Sequence, residues 1–165
     1  MAEALDSITA FAAIAELFCA WVEGEPLSPD AEVRAARKLL AELYAAALAL
    51  PSEVEFEGGP EAERESRRGE VFARLESLPV SFYGVCLDPM ASVPQELGIG
   101  DVTDDLADIY SDLRRGLALY REGRPGDAAW EWSFHFSSHW GAHVIGALGA
   151  IQAWRSERGD EGDRD

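Results

Sequence analysis

WEWSFHFSSHWGAH, residues 130–143, is the stretch that decides the fold, because it predicts a helix with apolar side chains on nearly every side. It contains three of the five Trp and all three His of the chain. The helix is predicted to run from about Pro125 to Arg155. A helix that is apolar almost all round is usually enclosed by its neighbours. The sequence therefore predicts a helical bundle with this helix at its centre.

Helical spacing of apolar residues also extends outward from this stretch. It recurs over residues 3–23, 28–50, 61–78 and 101–122. Residues 80–87 (VSFYGVCL) are short, apolar and rich in β-branched and aromatic side chains, which favours an extended segment. The sequence thus predicts an all-α, single-domain bundle of about five helices over residues 1–155, with one short extended segment near 80–87. The charged residues 156–165 are predicted to form a disordered acidic tail.

The charge of the chain excludes two classes of partner. With a formal net charge of −17, it would be repelled by nucleic acid and by anionic membranes, which are bound through Lys and Arg. The N-terminal sequence MAEALDSITAF has no basic region, so no secretory signal is expected. The longest apolar stretch, from Leu39 to Leu50, is interrupted by Glu42 and is too short to cross a bilayer.

Cysteine and arginine usage predict the compartment and the source. Cys19 and Cys86 stand apart in apolar surroundings and no CxxC motif is present, which is typical of a reducing compartment. Of the basic residues all but Lys38 are Arg, beside abundant Ala, Gly, Asp and Glu, a composition common in bacteria with GC-rich genomes. We therefore expect an acidic, cytoplasmic, bacterial protein.

The three His form a stripe along the predicted fifth helix. His135, His139 and His143 follow one another at intervals of four residues, so they lie on one side of it. Their total rise of about 12 Å is too long for one metal ion, but either neighbouring pair could chelate one. Trp140 stands where the HExxH metalloprotease motif needs its catalytic Glu, so this motif does not supply that mechanism.

Acidic residues form a second stripe, on the predicted fourth helix. Five Asp fall within an arc of about 100° opposite its apolar face; they are Asp101, Asp104, Asp105, Asp108 and Asp112. A solvated helix face is the ordinary interpretation of such a stripe. The alternative is a site for a divalent cation, since closely spaced carboxylates repel one another until a cation binds.

Two functional hypotheses follow, beside a third in which the His only make hydrogen bonds in an aromatic core. The first is a non-enzymatic module, without a cofactor, that binds an unknown protein, a small ligand or a second copy of the chain. Its contact residues would be Trp132, Phe136, His139, Trp140 and His143. The alternative is a divalent-metal-binding or metal-dependent hydrolytic protein. Its ligands would come from His135, His139, His143, Asp104, Asp105, Asp108 and Glu131. No complete catalytic constellation is present, so an enzyme is not expected.

Three segments resemble a bacterial family of helical domains of unknown function. They are FCAWVEGEP at 18–26, DDLADIYSDLRRGLALYREGRPGDAAWEW at 104–132, and HWGAH at 139–143. The resemblance extends from about Phe11 to Ala153. It implies a small, all-helical cytoplasmic protein, and it brings no activity, cofactor or catalytic residue.

Overall fold

The computed structural model describes residues 2–51, 67–86, 88, 90–93 and 96–158. Its elements are α1 (Ala2–Glu23), α2 (Pro29–Ala47), α3 (Arg68–Leu75), β1 (Phe82–Val85), β2 (Gly98–Asp101), α4 (Val102–Arg121), α5 (Pro125–His135), a π turn (Phe136–Trp140) and α6 (Gly141–Glu157). Because α5, the π turn and α6 follow one another without a break, the described residues form five helical segments and one two-stranded hairpin. The predicted all-α bundle with a short extended segment is confirmed.

The predicted boundaries agree closely for α1, α4 and the start of the fifth helix. The second and third helices end earlier than predicted, at Ala47 rather than near residue 50 and at Leu75 rather than 78, and strand β2 was not predicted. The predicted fourth helix, residues 101–122, is α4 with one residue fewer at each end. The loop predicted before α3 and the first part of the predicted third helix lie outside the described residues. At the C-terminus α6 continues to Glu157, two residues into the predicted tail, and residues 159–165 are not described.

The helix at the centre of the bundle is α4, which corrects the prediction that the fifth helix lies there. It packs against α1, α3, α5, α6 and β2, and its Leu106, Leu113 and Leu117 are fully buried. The fifth helix instead has a solvent-exposed side, where Phe134 is 51% exposed and Ile145 is 58% exposed. The fifth helix has more apolar side chains than the side packed against α4, α2 and α1 can cover, so the excess lies at the surface.

One buried carboxylate joins the first three helices. Glu32 on α2 is fully buried, and it accepts hydrogen bonds of 2.7 Å each from the Trp21 indole, the Leu27 amide and the Arg74 guanidinium. A carboxylate removed from water is costly unless such donors surround it. These bonds therefore stabilise the packing of α1, α2 and α3 on one another.

The first helix has the length and composition of a membrane-spanning segment, which the sequence analysis overlooked. Residues Ala4–Glu23 meet that description, and 39% of the stretch is buried within the bundle. Its Phe11, Ala15 and Phe18 are completely buried in the core. A core helix satisfies the same criteria, so this finding is weak evidence for a membrane span.

Candidate metal-binding site

A π turn interrupts the predicted fifth helix and brings its functional side chains into register. In an α-helix, residues eight apart differ by about 80° in direction. A π turn adds about one residue to the helix, which reduces that difference to about 20°. Trp132 and Trp140 therefore share the buried face, and both are completely buried, 4.8 and 6.1 Å from the Phe11 ring. By the same shift His135 and His143 lie on one side of the helix.

Gly141 makes the π turn possible. A Cβ at this position would lie 2.3 Å from the carbonyl oxygen of Phe136, the residue that begins the turn. Carbon and oxygen cannot approach so closely, so any other residue would force the turn to change. π turns occur frequently at functional sites, and this one lies between the first and last His of the stripe.

Two His of the stripe each face a carboxylate on the neighbouring helix α4. His143 Nδ1 lies 2.7 Å from Asp105 Oδ1, and His139 Nδ1 lies 2.7 Å from Asp112 Oδ2. Asp105 is 5% exposed and Asp112 is 4% exposed. The interpretation of the acidic stripe as a solvated face is therefore wrong for these two residues. They are buried because the fifth helix covers them with imidazole partners.

The hydrogen bonds to these two carboxylates determine which imidazole nitrogens remain for a ligand. An ionised carboxylate only accepts, so Nδ1 of His139 and of His143 carries the hydrogen. In the neutral imidazoles, Nε2 then keeps its lone pair. His143 Nε2 lies 3.7 Å from Asp108 Oδ2. Candidate ligand atoms of Asp108, His139 and His143 lie within 4.8 Å of one another, and we call these three residues the outer cluster.

One pair of atoms in the outer cluster has nearly the spacing that a transition-metal ion requires. Bonds of about 2.0–2.1 Å to one ion place tetrahedral ligand atoms about 3.3 Å apart. The 3.7 Å between His143 and Asp108 is close to that spacing. The side chains of His139, His143 and Asp108 are 44%, 26% and 21% exposed, so an ion could reach them from solvent. The buried carboxylates behind them match the hydrogen-bonded second shell that orients metal-binding His.

Candidate ligand atoms of a second group, the inner cluster of Asp112, His135 and His139, also lie within 4.8 Å of one another. The Arg115 guanidinium already fills it: Nη1 lies 2.9 Å from His135 Nε2 and 2.8 Å from Glu131 Oε1. Because Arg is a permanent cation that only donates, His135 Nε2 accepts from it. His139 and Asp112 are within hydrogen-bonding distance, closer than two ligands of one tetrahedral ion. The inner cluster is therefore a hydrogen-bond network.

The electrostatic surroundings of His143 favour a positive charge. Its hydrogen bond to Asp105 is the largest cause of a raised pKa, opposed by burial and reinforced by the negative charges of Asp105, Asp108 and Asp104. The same carboxylates would attract a divalent cation. Protons and metal ions therefore compete for this imidazole.

The structure brings together only part of the predicted site. Asp105 lies behind His143 as its hydrogen-bond partner, whereas Glu131 accepts a hydrogen bond from Arg115. Asp104 contributes charge to His143 without joining either cluster. Trp132 and Trp140 are completely buried, so contact with a ligand would require the core to open. Phe136 is partly buried and packs edge-on against the Tyr44 ring, with centroids 5.1 Å apart.

Three residues of the site were missed in the sequence analysis. Asp112 was seen only as part of the acidic stripe, and neither Arg115 nor Tyr83 was considered. A signal for the first two exists: Asp105, Asp108, Asp112 and Arg115 recur at intervals of three, four and three residues, which places them on one face of α4. Tyr83, whose hydroxyl donates to Asp105, comes from the distant strand β1, and no spacing pattern could reveal it.

The fold and the site define a small helical bundle with a His–carboxylate cluster on its fourth and last helices. The chain belongs to the family described as Domain of unknown function (DUF5063), whose model matches residues 3–157. The predicted resemblance is confirmed. A crystal structure of protein BF1032 from Bacteroides fragilis is similar, with a TM-score of 0.74, 22% identity and 96% of each chain covered, which supports the fold. No curated protein matches the chain.

Proposed function

We propose that this protein binds one divalent transition-metal ion through His139, His143 and Asp108. The observation that carries the proposal is the pair of buried carboxylates on the Nδ1 atoms of the two His. These bonds fix each ring and leave each Nε2 as the electron-pair donor. Ordinary surface His pairs lack carboxylates that accept from Nδ1. Such carboxylates raise the basicity of the ligand nitrogen and set the direction of the ring.

The charge of the surroundings supports a cation rather than an anion at this site. Four carboxylates lie on one side of α4 beside the two His; they are Asp104, Asp105, Asp108 and Asp112. Arg115 contacts Asp112 and Glu131 and offsets part of this charge. The remaining negative charge would attract a divalent ion, and two imidazoles with one carboxylate select Zn²⁺ or its first-row neighbours over Mg²⁺ and Ca²⁺.

Three protein ligands leave at least one coordination position for water or a substrate. That arrangement is typical of catalytic rather than structural zinc sites, in which the metal lowers the pKa of its bound water. A metal-dependent hydrolytic reaction is the chemistry such a site could supply. Binding of a partner protein or a small ligand at the same surface stays a prediction from the sequence.

Titration with Zn²⁺ tests the proposal. The metal-free full chain is titrated by calorimetry, beside His139→Ala, His143→Ala and the control His135→Ala. His135 is on the same helix and is 22% exposed, against 26% for His143, but belongs to the inner cluster. We expect one site in the wild type, a loss of about 100-fold or more in affinity in the first two variants, and a change of less than about threefold in the control.

The same titration can refute the proposal in two ways. A wild-type chain that takes up less than about a tenth of an equivalent of Zn²⁺, Fe²⁺ or Mn²⁺ has no such site. If His135→Ala loses as much affinity as His139→Ala while His143→Ala keeps it, the ion binds in the inner cluster, and the ligand set proposed here is wrong.

A further inference from the structure

We infer that Tyr83 is a positioning residue of this site, which links the conformation of the β1–β2 hairpin to metal occupancy. The inference rests on the proposed metal site. Tyr83 does not reach the outer cluster itself. It acts through Asp105, which in turn holds the ring of His143.

Two consecutive hydrogen bonds connect the hairpin with the proposed ligand. The Tyr83 hydroxyl donates to Asp105 Oδ2 over 2.8 Å, and Asp105 Oδ1 accepts from His143 Nδ1 over 2.7 Å. Both carboxylate oxygens of Asp105 therefore have a partner, one on β1 and one on α6. With both oxygens held, the carboxylate has one orientation, and the direction of His143 Nε2 follows from it.

Two glycines confine the Tyr83 ring to this position. A Cβ on Gly100, its partner on β2, would lie 2.4 Å from the Tyr83 ring. A Cβ on Gly146 of α6 would lie 2.1 Å from the Tyr83 hydroxyl oxygen. Each glycine therefore makes room for the ring or its hydroxyl, and the tyrosine side chain packs between the hairpin and α6. The opposite face of the hairpin is open, since Phe82 is 71% exposed and Ile99 is 82% exposed.

The hydroxyl remains a donor over the ordinary pH range. Burial is the main cause of a raised pKa for Tyr83, and its hydrogen bond to Asp105 raises the pKa further. Without this donor, Asp105 Oδ2 would be buried with no protein partner among the described residues. The carboxylate would then turn toward water, and the restraint on the His143 ring would weaken.

Tyr83→Phe removes this donor and keeps the ring, and Tyr110→Phe is a matched control. Tyr110 is buried, whereas Tyr83 is partly buried, and Tyr110 likewise donates to a carboxylate, Glu23 Oε1, over 2.7 Å on the far side of α4. We expect Tyr83→Phe to weaken Zn²⁺ binding about tenfold and the control to change it less than about twofold. The visible absorption of bound Co²⁺ should change in Tyr83→Phe alone, because loss of stability does not by itself alter coordination.

Hydrogen exchange tests the linkage in the other direction. Because coupling between two sites is reciprocal, Zn²⁺ should slow amide exchange at residues 82–85 and 98–101 in the wild type by about the factor that Tyr83→Phe loses in affinity. In Tyr83→Phe that protection should largely disappear, whereas in Tyr110→Phe it should remain.

The outcomes separate this inference from the function on which it rests. If the wild type binds Zn²⁺ but Tyr83→Phe binds it as tightly as Tyr110→Phe, the role of Tyr83 is refuted and the metal site stands. Equal hairpin protection in the two variants refutes the linkage as well. If the wild type binds no metal, both proposals are overturned together.

Discussion

Two of the regions in which this molecule buries carboxylates use different partners. Glu32, at the junction of the first three helices, is completely buried, and its partners include the permanent cation Arg74 and the Trp21 indole. Asp105 and Asp112, on the side of α4 that faces the last helix, are each held by an imidazole. The Arg74 side chain is 9% exposed, whereas the His139 side chain is 44% exposed.

This difference separates a structural role from a binding role. Arg74 bonds to Glu32 and to the carbonyl oxygens of Trp21 and Gly24, all inside the junction. An imidazole has two nitrogens, so a carboxylate can fix one while the other stays at the surface. The first arrangement holds helices together, and the second directs a ligand atom outward. Substitutions at the two places should therefore affect different measurements.

The largest effect is expected at the junction. Glu32→Gln leaves the Arg74 charge buried with no carboxylate partner among the described residues, so the free energy of unfolding should fall by about 3 kcal/mol or more. Zn²⁺ affinity of the folded variant should stay within about twofold of the wild type, because Glu32 and its partners share no hydrogen bond with the outer cluster among the described residues. Chemical denaturation and calorimetry measure the two quantities. A tenfold loss of affinity in the folded variant would remove the distinction between the two regions.

The π turn comes next, because it serves both the core and the site. Gly141→Ala places a Cβ against the carbonyl oxygen of Phe136, which should cost about 2 kcal/mol of stability and also weaken Zn²⁺ binding as His139 loses its register. The control is Gly149→Ala on α6, where a Cβ would meet no atom within 4 Å. That change should raise stability by about 0.5–1 kcal/mol and leave Zn²⁺ affinity unaltered. Equal effects of both substitutions would contradict the role of the turn.

Asp112→Asn tests the carboxylate that holds His139, without changing any of the three proposed metal ligands. The Asn side chain has no carboxylate to hold His139, so Zn²⁺ affinity should fall about tenfold or more. Asp127→Asn is the matched control, since Asp127 is also 4% exposed and accepts a hydrogen bond of 2.8 Å from Arg124 at the start of α5. Both variants should lose stability, but only Asp112→Asn should lose metal affinity. Loss of affinity in both would indicate a general structural effect.

The smallest expected effect is the dependence on pH. Asp105 raises the pKa of His143 above its ordinary value of 6.5 in the folded chain. In the metal-free protein, the stability from this contact is fully present below pH 6.5 and is lost as pH rises through the raised pKa. Zn²⁺ affinity changes in the opposite sense, because the proton and the metal compete for the ring. NMR titration of the three imidazoles, with and without Asp105→Asn, measures the shift; an unchanged His143 pKa in that variant would contradict its cause.

Sequence periodicity predicted the helices because it reports on burial along each helix, but it did not predict strand β2. It placed α4 to within one residue at each end and the extended segment around Phe82–Val85. It failed where position depends on contacts between elements. The π turn has no periodic signature in the sequence. The fifth helix was predicted at the centre because the pattern could not show that Phe134 and Ile145 would lie at the surface.

Only part of the candidate site could be predicted from the sequence, for the same reason. The His stripe and the acidic stripe each follow from spacing on a single helix. Their pairing in space, with Asp105 opposite His143 and Asp112 opposite His139, depends on how α4 and the last helix pack. Arg115 follows Asp112 by three residues, a spacing that in sequence resembles any surface ion pair.

Anomalous diffraction from crystals of the full chain soaked in Zn²⁺ tests the central claim most directly. We expect one strong peak about 2.0–2.1 Å from Nε2 of both His139 and His143, with Asp108 as the third protein ligand and Nδ1 of each ring still bonded to its carboxylate. A peak between His135 and Asp112, or coordination through Nδ1 of His139 or His143, would contradict this account of the site.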